Sequence, residues 1–273
     1  MFGVLTVQTA EHLPAGKRAV LRLRSGKGLE YREDLFRTAM FCSVQVTLYA
    51  GWRDSLRNKR VREALLLLRA KGVREAVLPA EWQALACKEG IASVSIRPGL
   101  EACAAQAVYA ACRTLELSPE QVCLAVYGKN ISRMAAMQLL TMAKTLRTLR
   151  IYGEGNEGLR TQLWRSCGIV DRGPMPENAP VLGLLLQDGD GVGETLLTVD
   201  LSGGSGTGEG LLWAPNPLPP QGVLAKLPQG ADSGVFAAAF LQAGALQARE
   251  IHVSRLDIPA PTQYNKEIVE NCF

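Results

Sequence analysis

Histidine is nearly absent from this chain, which has only His12 and His252 among its 273 residues. The two lie far apart and show no metal-ligand spacing, so we expect a structural or surface role for each. No cysteine has a histidine nearby in sequence to activate it, and the G-x-S-x-G motif does not occur. The sequence therefore gives no positive evidence for nucleophilic catalysis and indicates no metal site.

Pairs of the C-x-x-C type are also missing, and the number of cysteines, seven, is odd. The seven are Cys42, Cys87, Cys103, Cys112, Cys123, Cys167 and Cys272, and most of them lie inside apolar runs. This usage argues against a disulfide framework and a zinc knuckle, and it predicts reduced core residues in a cytoplasmic protein. No signal-peptide pattern opens the chain and no apolar run reaches ~18 residues, so we expect neither export nor a membrane anchor.

Acidic residues are scarce in the first part of the chain. Residues 1–150 contain 23 Lys and Arg against 12 Asp and Glu, whereas residues 151–273 contain 7 against 14. This split fits either a basic surface for an acidic partner or two halves that attract each other. The basic residues are dispersed and few aromatic residues lie among them, unlike a stacking platform for single strands. We therefore favour attraction between the halves, with nucleic acid an unlikely partner.

Length and patterning indicate two domains of α/β type. The chain is 47% hydrophobic, and strand-like segments alternate with helix-like ones, which predicts a largely parallel sheet covered by crossover helices. Ser118-Pro119 is the best boundary, because a turn dipeptide there separates an alanine-rich helix, predicted over Leu100–Leu115, from the next strand. We predict a smaller α/β domain at 1–118 and a Rossmann-like, mostly parallel three-layer domain at 119–273. The latter includes a Gly/Pro-rich loop at 203–222 and a C-terminal tail.

Within the first domain, the patterns predict an opening hairpin of Met1–Val7 and Ala19–Arg24. A helix over Arg32–Phe41 and a strand over Ser43–Tyr49 are expected next. The clearest helix spans Ser55–Lys71 and is the most basic segment of the chain. Its leucine stripe predicts burial of one side and a solvated face on the other, and a surface for nucleic acid is the alternative.

The most informative stretch is residues 122–154, VCLAVYGKNISRMAAMQLLTMAKTLRTLRIYGE. It reads as a strand, a turn opening at Gly128, a long helix and a second strand, which is the first βαβ step of a nucleotide-binding sheet. A dinucleotide fingerprint, G-x-G-x-x-G, requires glycine at three positions, and here they hold Gly128, Asn130 and Arg133. The fold pattern is therefore present without the full fingerprint.

The same turn nevertheless has features that suit an anion. Asn130 tolerates a left-handed backbone, and Ser132 can cap the helix while free N–H groups face a phosphate. Lys129 and Arg133 add positive charge beside that helix end. An ordinary capped turn with solvated basic neighbours is the alternative interpretation.

Glu154 follows the second strand, 26 residues after Gly128 (154 − 128). An acidic residue near this spacing holds a ribose hydroxyl in NAD-binding domains. Gly153 and Gly155 flank it and permit a close turn. A polar loop that only begins the helix at Asn156 is the somewhat favoured interpretation.

Three segments, VYGKNISRMAAMQLL, LRIYGEGNEGLRTQL and LLTVDLSGG, resemble the Rossmann domains of the shikimate dehydrogenase, glutamyl-tRNA reductase and methylene-folate dehydrogenase group. In that group a glycine-opened turn, a second strand and a later strand ending in an Asp-containing loop follow in this order. The similarity covers about a third of the chain. It implies an NAD(P)-type pocket bounded by Gly128–Ser132, Glu154 and the loop after Asp200. The first half shows no Lys/Asp pair that matches the substrate domains of those enzymes, so their activity is not implied.

Two further loops show weaker sequence patterns for ligand binding than the turn at Gly128. Gly203–Gly210 could wrap a phosphate but lacks the G-K-[ST] ending of a P-loop, and a flexible surface connection is the favoured interpretation. Asp188, Asp190 and Glu194 suggest an oxygen-ligand loop, but the remaining calcium ligands are missing. We predict a hairpin turn between strands at 180–186 and 195–201 instead.

These observations favour a cytoplasmic Rossmann-like protein with a degenerate site for a nucleotide or a phosphorylated small molecule. An NAD(P)-dependent oxidoreductase of the shikimate dehydrogenase type is the first alternative. A basic adaptor that binds nucleic acid through the N-terminal half is the second.

Overall fold

The computed structural model describes residues 1–10, 28–169, 179–187, 195–202 and 211–253. The strands, in chain order, are β1 (Phe2–Ala10), β2 (Leu29–Phe36), β3 (Ala39–Tyr49), β4 (Glu75–Val77), β5 (Ala92–Ser93), β6 (Cys123–Tyr127), β7 (Thr148–Tyr152), β8 (Val181–Leu185), β9 (Leu197–Asp200), β10 (Leu211–Trp213), β11 (Pro217–Leu218) and β12 (His252–Val253). The α-helices are α1 (Asp54–Ala70), α2 (Gln83–Lys88), α3 (Arg97–Ala102), α4 (Ala104–Thr114), α5 (Arg133–Met142), α6 (Glu157–Cys167), α7 (Gln221–Leu224) and α8 (Ser233–Gln242).

The backbone groups into two compact units. The first comprises Met1–Ile96 and Pro219–Glu250, and the second comprises Arg97–Leu218 with the described residues from Ile251 onward. The predicted boundary at 118/119 lies inside the second unit, and the assignment of domains at 1–118 and 119–273 stays a prediction. No helix in the described ranges combines the length and the apolar character needed to cross a membrane.

The first unit is built on a five-stranded sheet in the order β2-β3-β1-β4-β5. All neighbouring pairs are parallel except β2 and β3, which are antiparallel. One face of this sheet packs on α1, whose predicted position at Ser55–Lys71 is confirmed to within one residue at each end. The core of this side contains alternate residues of β3 and one stripe of α1: Cys42, Val44, Val46, Leu48, Val61, Ala64, Leu65 and Leu68.

The predicted helix over Arg32–Phe41 is wrong. This segment forms most of β2, a tight turn and the start of β3, paired in register from Leu29↔Val46 to Phe36↔Ala39. Arg37 at the turn adopts a left-handed backbone with φ of 53°. Pairing along a long neighbouring strand thus overrides the weak local helix pattern, because hydrogen bonds and side-chain packing across the ladder outweigh small propensity differences.

The opposite face of the same sheet packs on α8, which comes from the far end of the chain. Phe2 and Phe41 stack with ring centroids 5.6 Å apart, and both meet Phe236 and Phe240 of α8 edge to face. Edge-to-face contact is a preferred arrangement of aromatic rings, and burial of such large rings contributes strongly to stability. This aromatic cluster explains why Pro219–Glu250 belongs to the first unit.

The second unit contains a five-stranded sheet in the order β10-β9-β8-β6-β7, and every neighbouring pair is parallel. The chain passes from β6 through α5 to β7 on one side, and β8, β9 and β10 follow on the other side. In chain order the described strands are thus arranged 2-1-3-4-5, with the reversal between β6 and β8. The predicted α/β class, a parallel Rossmann-like sheet flanked by helices, is confirmed.

Some local predictions for this unit need correction. The strands expected at 180–186 and 195–201 are present as β8 and β9, but a hairpin between them is wrong because they pair in parallel. Parallel neighbours require a crossover connection, so the two strands cannot be joined by a tight turn. The alanine-rich helix expected at 100–115 is two helices, α3 and α4, separated at Cys103.

Several sequence-based predictions fall outside the described residues. They are the strand at Ala19–Arg24, the acidic loop with Asp188, Asp190 and Glu194, the loop Gly203–Gly210, and the tail from Pro259 onward.

The cysteines of the described ranges are all free, and four of the six are buried. Burial raises the pKa of the Cys103 thiol to about 12 and that of Cys112 to about 11. Burial also raises the pKa of Cys123. Since the thiolate is the reactive form, these side chains are both inaccessible and in the unreactive state near neutral pH.

We expect thiol labelling to separate these cysteines into two groups. At pH 8 a maleimide should modify exposed Cys87 within minutes and half-buried Cys167 more slowly. Cys42, Cys103, Cys112 and Cys123 should react only after unfolding in guanidinium chloride. Peptide mapping by mass spectrometry reads out each site. Labelling of Cys103 in the folded protein at the rate of Cys87 would contradict the burial described for α3 and α4.

Candidate functional site

The loop after β6 is the turn that the sequence singled out for an anion, and its backbone amides already have partners within the chain. The four N–H groups from Gly128 to Ile131 each donate one hydrogen bond. The acceptors, in order, are the carbonyl oxygen of Tyr152 (3.0 Å), Oε1 of Gln187 (3.2 Å), the carbonyl oxygen of Glu154 (3.1 Å) and Oδ1 of Asn156 (2.9 Å). A phosphate that used these amides would have to displace the chain's own groups.

Asn156 ties this turn to the loop after β7. Its side chain is buried, and its Nδ2 donates to the carbonyl oxygens of Gly128 (2.8 Å) and Gly153 (3.3 Å) while Oδ1 accepts from Ile131. One amide side chain thus satisfies backbone groups of both loops. Because buried amide and carbonyl groups are costly to leave unpaired, this bridge fixes the two loops against each other.

The backbone of both loops is adapted to this close contact. Asn130 has a left-handed φ of 48°, as the sequence suggested it could tolerate. Gly153 has φ of 118°, and a Cβ added there would lie 2.3 Å from the carbonyl oxygen of Gly128. Only glycine fits at that position.

The N-terminus of α5 is likewise occupied from within. Ser132 is the N-cap, as predicted, and its Oγ accepts a hydrogen bond from the Ala135 N–H at 3.2 Å. The same hydroxyl donates to Oε2 of buried Glu101 at 2.5 Å, and Oε1 of Glu101 accepts from Nε of Arg97 at 2.8 Å. A helix N-terminus favours negative charge. Here the carboxylate of Glu101 from α3 supplies that charge.

Two cationic side chains of the predicted site are exposed. Lys129 and Arg133 flank the turn, are exposed, and have no acidic partner among the described residues. Glu154 is also exposed, and its backbone carbonyl is held by the N–H of Asn130. The structure thus brings Gly128, Lys129, Asn130, Ser132, Arg133 and Glu154 together in two adjacent loops at the carboxyl ends of β6 and β7.

Asp200, the last residue of β9, is placed differently. It is 2% exposed, and its Oδ1 accepts a hydrogen bond from the Ser202 N–H at 2.8 Å. Its other carboxylate oxygen, Oδ2, is buried and has no hydrogen-bond partner among the described residues. Asp200 is on β9, the second strand from β6 in the sheet, and it therefore lies at the same carboxyl edge as the turn after β6.

The register also places a row of four side chains along this edge. Tyr152, Tyr127, Leu185 and Asp200 are register partners on β7, β6, β8 and β9, so they lie on one face of the sheet. The rings of Tyr127 and Tyr152 stack with centroids 5.1 Å apart, and Tyr152 is exposed. A partly exposed aromatic platform therefore stands at one end of the row and a buried carboxylate at the other.

Sequence reasoning missed the residues that fill the turn. Glu101, Asn156 and Gln187 lie 31, 25 and 58 positions away from their partners in the turn. Only Asn156 had a sequence signal, because it begins a helix, and no local pattern marks the other two. Within the part of the chain that the structure describes, no group of three or more His, Cys, Asp and Glu side chains could hold a metal ion.

The basic helix α1 uses much of its charge within the first unit. Four of its cations, counting the C-cap, form ion pairs: Arg57 with Asp54, Arg60 with Glu63, Arg62 with Glu89, and Lys71 with Glu33. Arg60 is itself buried. Each paired cation contributes less to a field that attracts phosphates. That nucleic acid is an unlikely partner stays a prediction, and these ion pairs support that prediction.

Comparison with known proteins adds little to this description. No protein-family model matches the chain, and no curated protein matches it. Among solved structures, L-tryptophan dehydrogenase from Nostoc punctiforme has a TM-score of 0.29 and 11% identity, over 88% of this chain and 73% of that one. A likeness at this level supports no conclusion about activity. The class that the fold defines is that of Rossmann-like α/β proteins with a parallel sheet.

Proposed function

We propose that this protein binds a nucleotide or a similar phosphorylated small molecule at the carboxyl edge of its second sheet. In this proposal the side chains of Lys129 and Arg133 hold the phosphate, and the amides of the turn do not. The observation that carries the proposal is the contrast at one loop, where all four N–H groups from Gly128 to Ile131 are engaged while the two cations beside them are exposed and unpaired among the described residues.

The position of the loop supports a ligand at this edge. The strand order reverses between β6 and β8, and ligands of open α/β sheets sit outside the carboxyl ends of the strands at such a reversal. The turn after β6 borders that position, since the Lys129 N–H donates to Gln187 just past β8. Exposed Tyr152 offers a ring face for a base, and Glu154 offers an acceptor for a hydroxyl group.

An NAD(P)-dependent oxidoreductase is the alternative, and the geometry favours it less. A pyrophosphate normally approaches the second glycine of the fingerprint and the amides of the helix N-terminus. Asn130 stands at that glycine position here, and Glu101 directs a carboxylate at Ser132, so a pyrophosphate would meet a like charge. A single phosphate outside the turn avoids this repulsion.

The test is a thermal-shift panel at low ionic strength with AMP, ribose 5-phosphate, NADH and NADPH. We expect AMP to raise the unfolding temperature, and a ligand at a hundred times its dissociation constant stabilises by about 2.7 kcal/mol. The double variant K129Q/R133Q should lose the shift, because both phosphate contacts are removed. The shift should also shrink as salt rises, since the screening length falls from about 30 Å at 0.01 M to about 8 Å at 0.15 M.

Lys144→Gln is the matched control, because Lys144 is an exposed lysine just past the other end of α5. It should leave the AMP shift unchanged. If no member of the panel shifts the wild-type protein, the proposal is wrong. If NADPH alone shifts it and the double variant shifts equally, the oxidoreductase alternative replaces the proposal.

A further inference from the structure

Asp200 is a buried carboxylate with one oxygen that nothing in the described structure satisfies. Oδ1 accepts from the Ser202 N–H, which fixes the orientation of the group, and Oδ2 has no partner. Native proteins pair nearly all buried polar atoms, so each exception requires a physical reason. Removing a charged oxygen from water without giving it a donor is among the most costly arrangements in a protein interior.

Stability alone does not explain this residue. An asparagine at the same position would keep the hydrogen bond from Ser202 through its Oδ1 and would bring no charge into the interior. The charged oxygen therefore destabilises the folded state, and no hydrogen bond from the described residues offsets that destabilisation. Groups that are costly to the fold are characteristic of sites where a ligand supplies the missing partner.

The location of Asp200 matches such a role. It ends β9 at the carboxyl edge, in the row that contains Leu185, Tyr127 and Tyr152 on the same face. Two strand spacings, about 10 Å, separate Asp200 from Tyr127 along this row. That length suits a nucleoside-sized molecule that reaches from the tyrosines to the carboxylate.

We infer that Oδ2 of Asp200 accepts a hydrogen bond from a donor group of the ligand, a hydroxyl or an amino group, and so selects ligands that present one. This inference rests on the proposed function, because it places the donor on the same nucleotide whose phosphate Lys129 and Arg133 hold. A carboxylate accepts and does not donate, so the recognised group must carry a hydrogen. Analogues without that hydrogen leave the oxygen unpaired and are rejected.

The experiment compares dissociation constants by calorimetry for three probes: AMP, 2′,3′-dideoxy-AMP, which lacks the sugar hydroxyls, and IMP, which lacks the amino group. We expect wild-type protein to bind AMP at least about tenfold more tightly than one of the two analogues. The analogue that loses affinity identifies the donor as hydroxyl or amino. In Asp200→Asn this preference should fall to about one, because the amide nitrogen cannot accept.

Two further measurements keep the outcome specific. Asp200→Asn without ligand should unfold at the wild-type temperature or above it, since an unpaired buried charge has been removed. Asp54→Asn, which neutralises an exposed carboxylate in the first unit, should leave all three dissociation constants unchanged. Both results support the role of Asp200 in recognition.

Results that contradict the role of Asp200 differ from results that contradict the proposed function. AMP binding with no preference against either analogue, or with a preference that persists in Asp200→Asn, overturns the role of Asp200 and leaves the proposed function standing. A marked loss of stability in Asp200→Asn overturns it as well, because the carboxylate would then have a structural partner. If AMP does not bind the wild-type protein, this inference is wrong. If no ligand of the thermal-shift panel raises the unfolding temperature, the proposed function is wrong too.

Discussion

Replacing Asn156 by alanine should destabilise the second unit by about 2–4 kcal/mol, because it leaves two part-buried backbone groups without partners. The lost bonds join its side chain to the Ile131 N–H at 2.9 Å and to the carbonyl oxygen of Gly128 at 2.8 Å. Domains are stable by only about 5–15 kcal/mol, so the variant should be close to unfolding. Urea denaturation followed by circular dichroism measures the change as a lower midpoint with an unchanged slope.

Gln162→Ala is the matched control for this substitution. Gln162 lies on the exposed side of α6, so the loss of its amide removes no buried bond. We expect its unfolding midpoint to stay at the wild-type value within about 0.5 kcal/mol. A cost below about 1 kcal/mol for Asn156→Ala would mean that the two loops are satisfied in another way.

Gly153→Ala should be nearly as damaging, at about 3 kcal/mol. Its φ of 118° lies in a region that side-chain-bearing residues rarely adopt, and the new Cβ would lie 2.3 Å from the carbonyl oxygen of Gly128. That oxygen belongs to the backbone and accepts from Asn156, so it cannot move aside cheaply. The free energy of unfolding, compared with wild type in the same urea series, reads out the effect.

Gly158→Ala, five residues further along the chain, should have the opposite effect on stability. Gly158 lies within α6 and a Cβ there meets no atom within 4 Å. Alanine in a helix is favoured over glycine by about 1 kcal/mol, so this variant should be more stable than wild type. Equal effects of the two substitutions would show that the contact between the loops after β6 and β7 does not constrain the backbone.

Together these substitutions address the property that separates this site from a standard dinucleotide turn. In the standard turn, glycines leave amides open for a pyrophosphate. Here Gly128 is kept, but its neighbours are hydrogen bonded to Gln187, Glu154 and Asn156. A turn whose own amides are hydrogen bonded within the chain has none free for a phosphate. This is the physical basis for the proposal that the side chains of Lys129 and Arg133 hold the phosphate.

Several features of the site could be predicted because they depend on residues close together in the chain. Ser132 caps α5 through the N–H three positions later, which is a local bond. Asn130 adopts the left-handed backbone that its short polar side chain allows. The order of β6, α5 and β7 follows from the change of apolar period from two to 3.6 residues. The sequence of residues 122–154 therefore predicts the βαβ step.

Other features depend on contacts between distant parts of the chain, and no local pattern encodes them. Glu101 meets Ser132 across 31 positions, and Gln187 reaches Lys129 across 58. The same reason accounts for β2, which pairs with β3 in place of the predicted helix, and for α8, whose phenylalanines return to the first sheet.

The sequence by itself determined the α/β class, the βαβ step and the capped turn, since propensity, apolar period and capping act over a few residues. Only the tertiary structure decided which groups fill the turn and which buried carboxylate oxygen at the carboxyl edge has no partner among the described residues. Strand order and helix packing bring distant side chains within hydrogen-bond distance, and that choice is made by the whole fold.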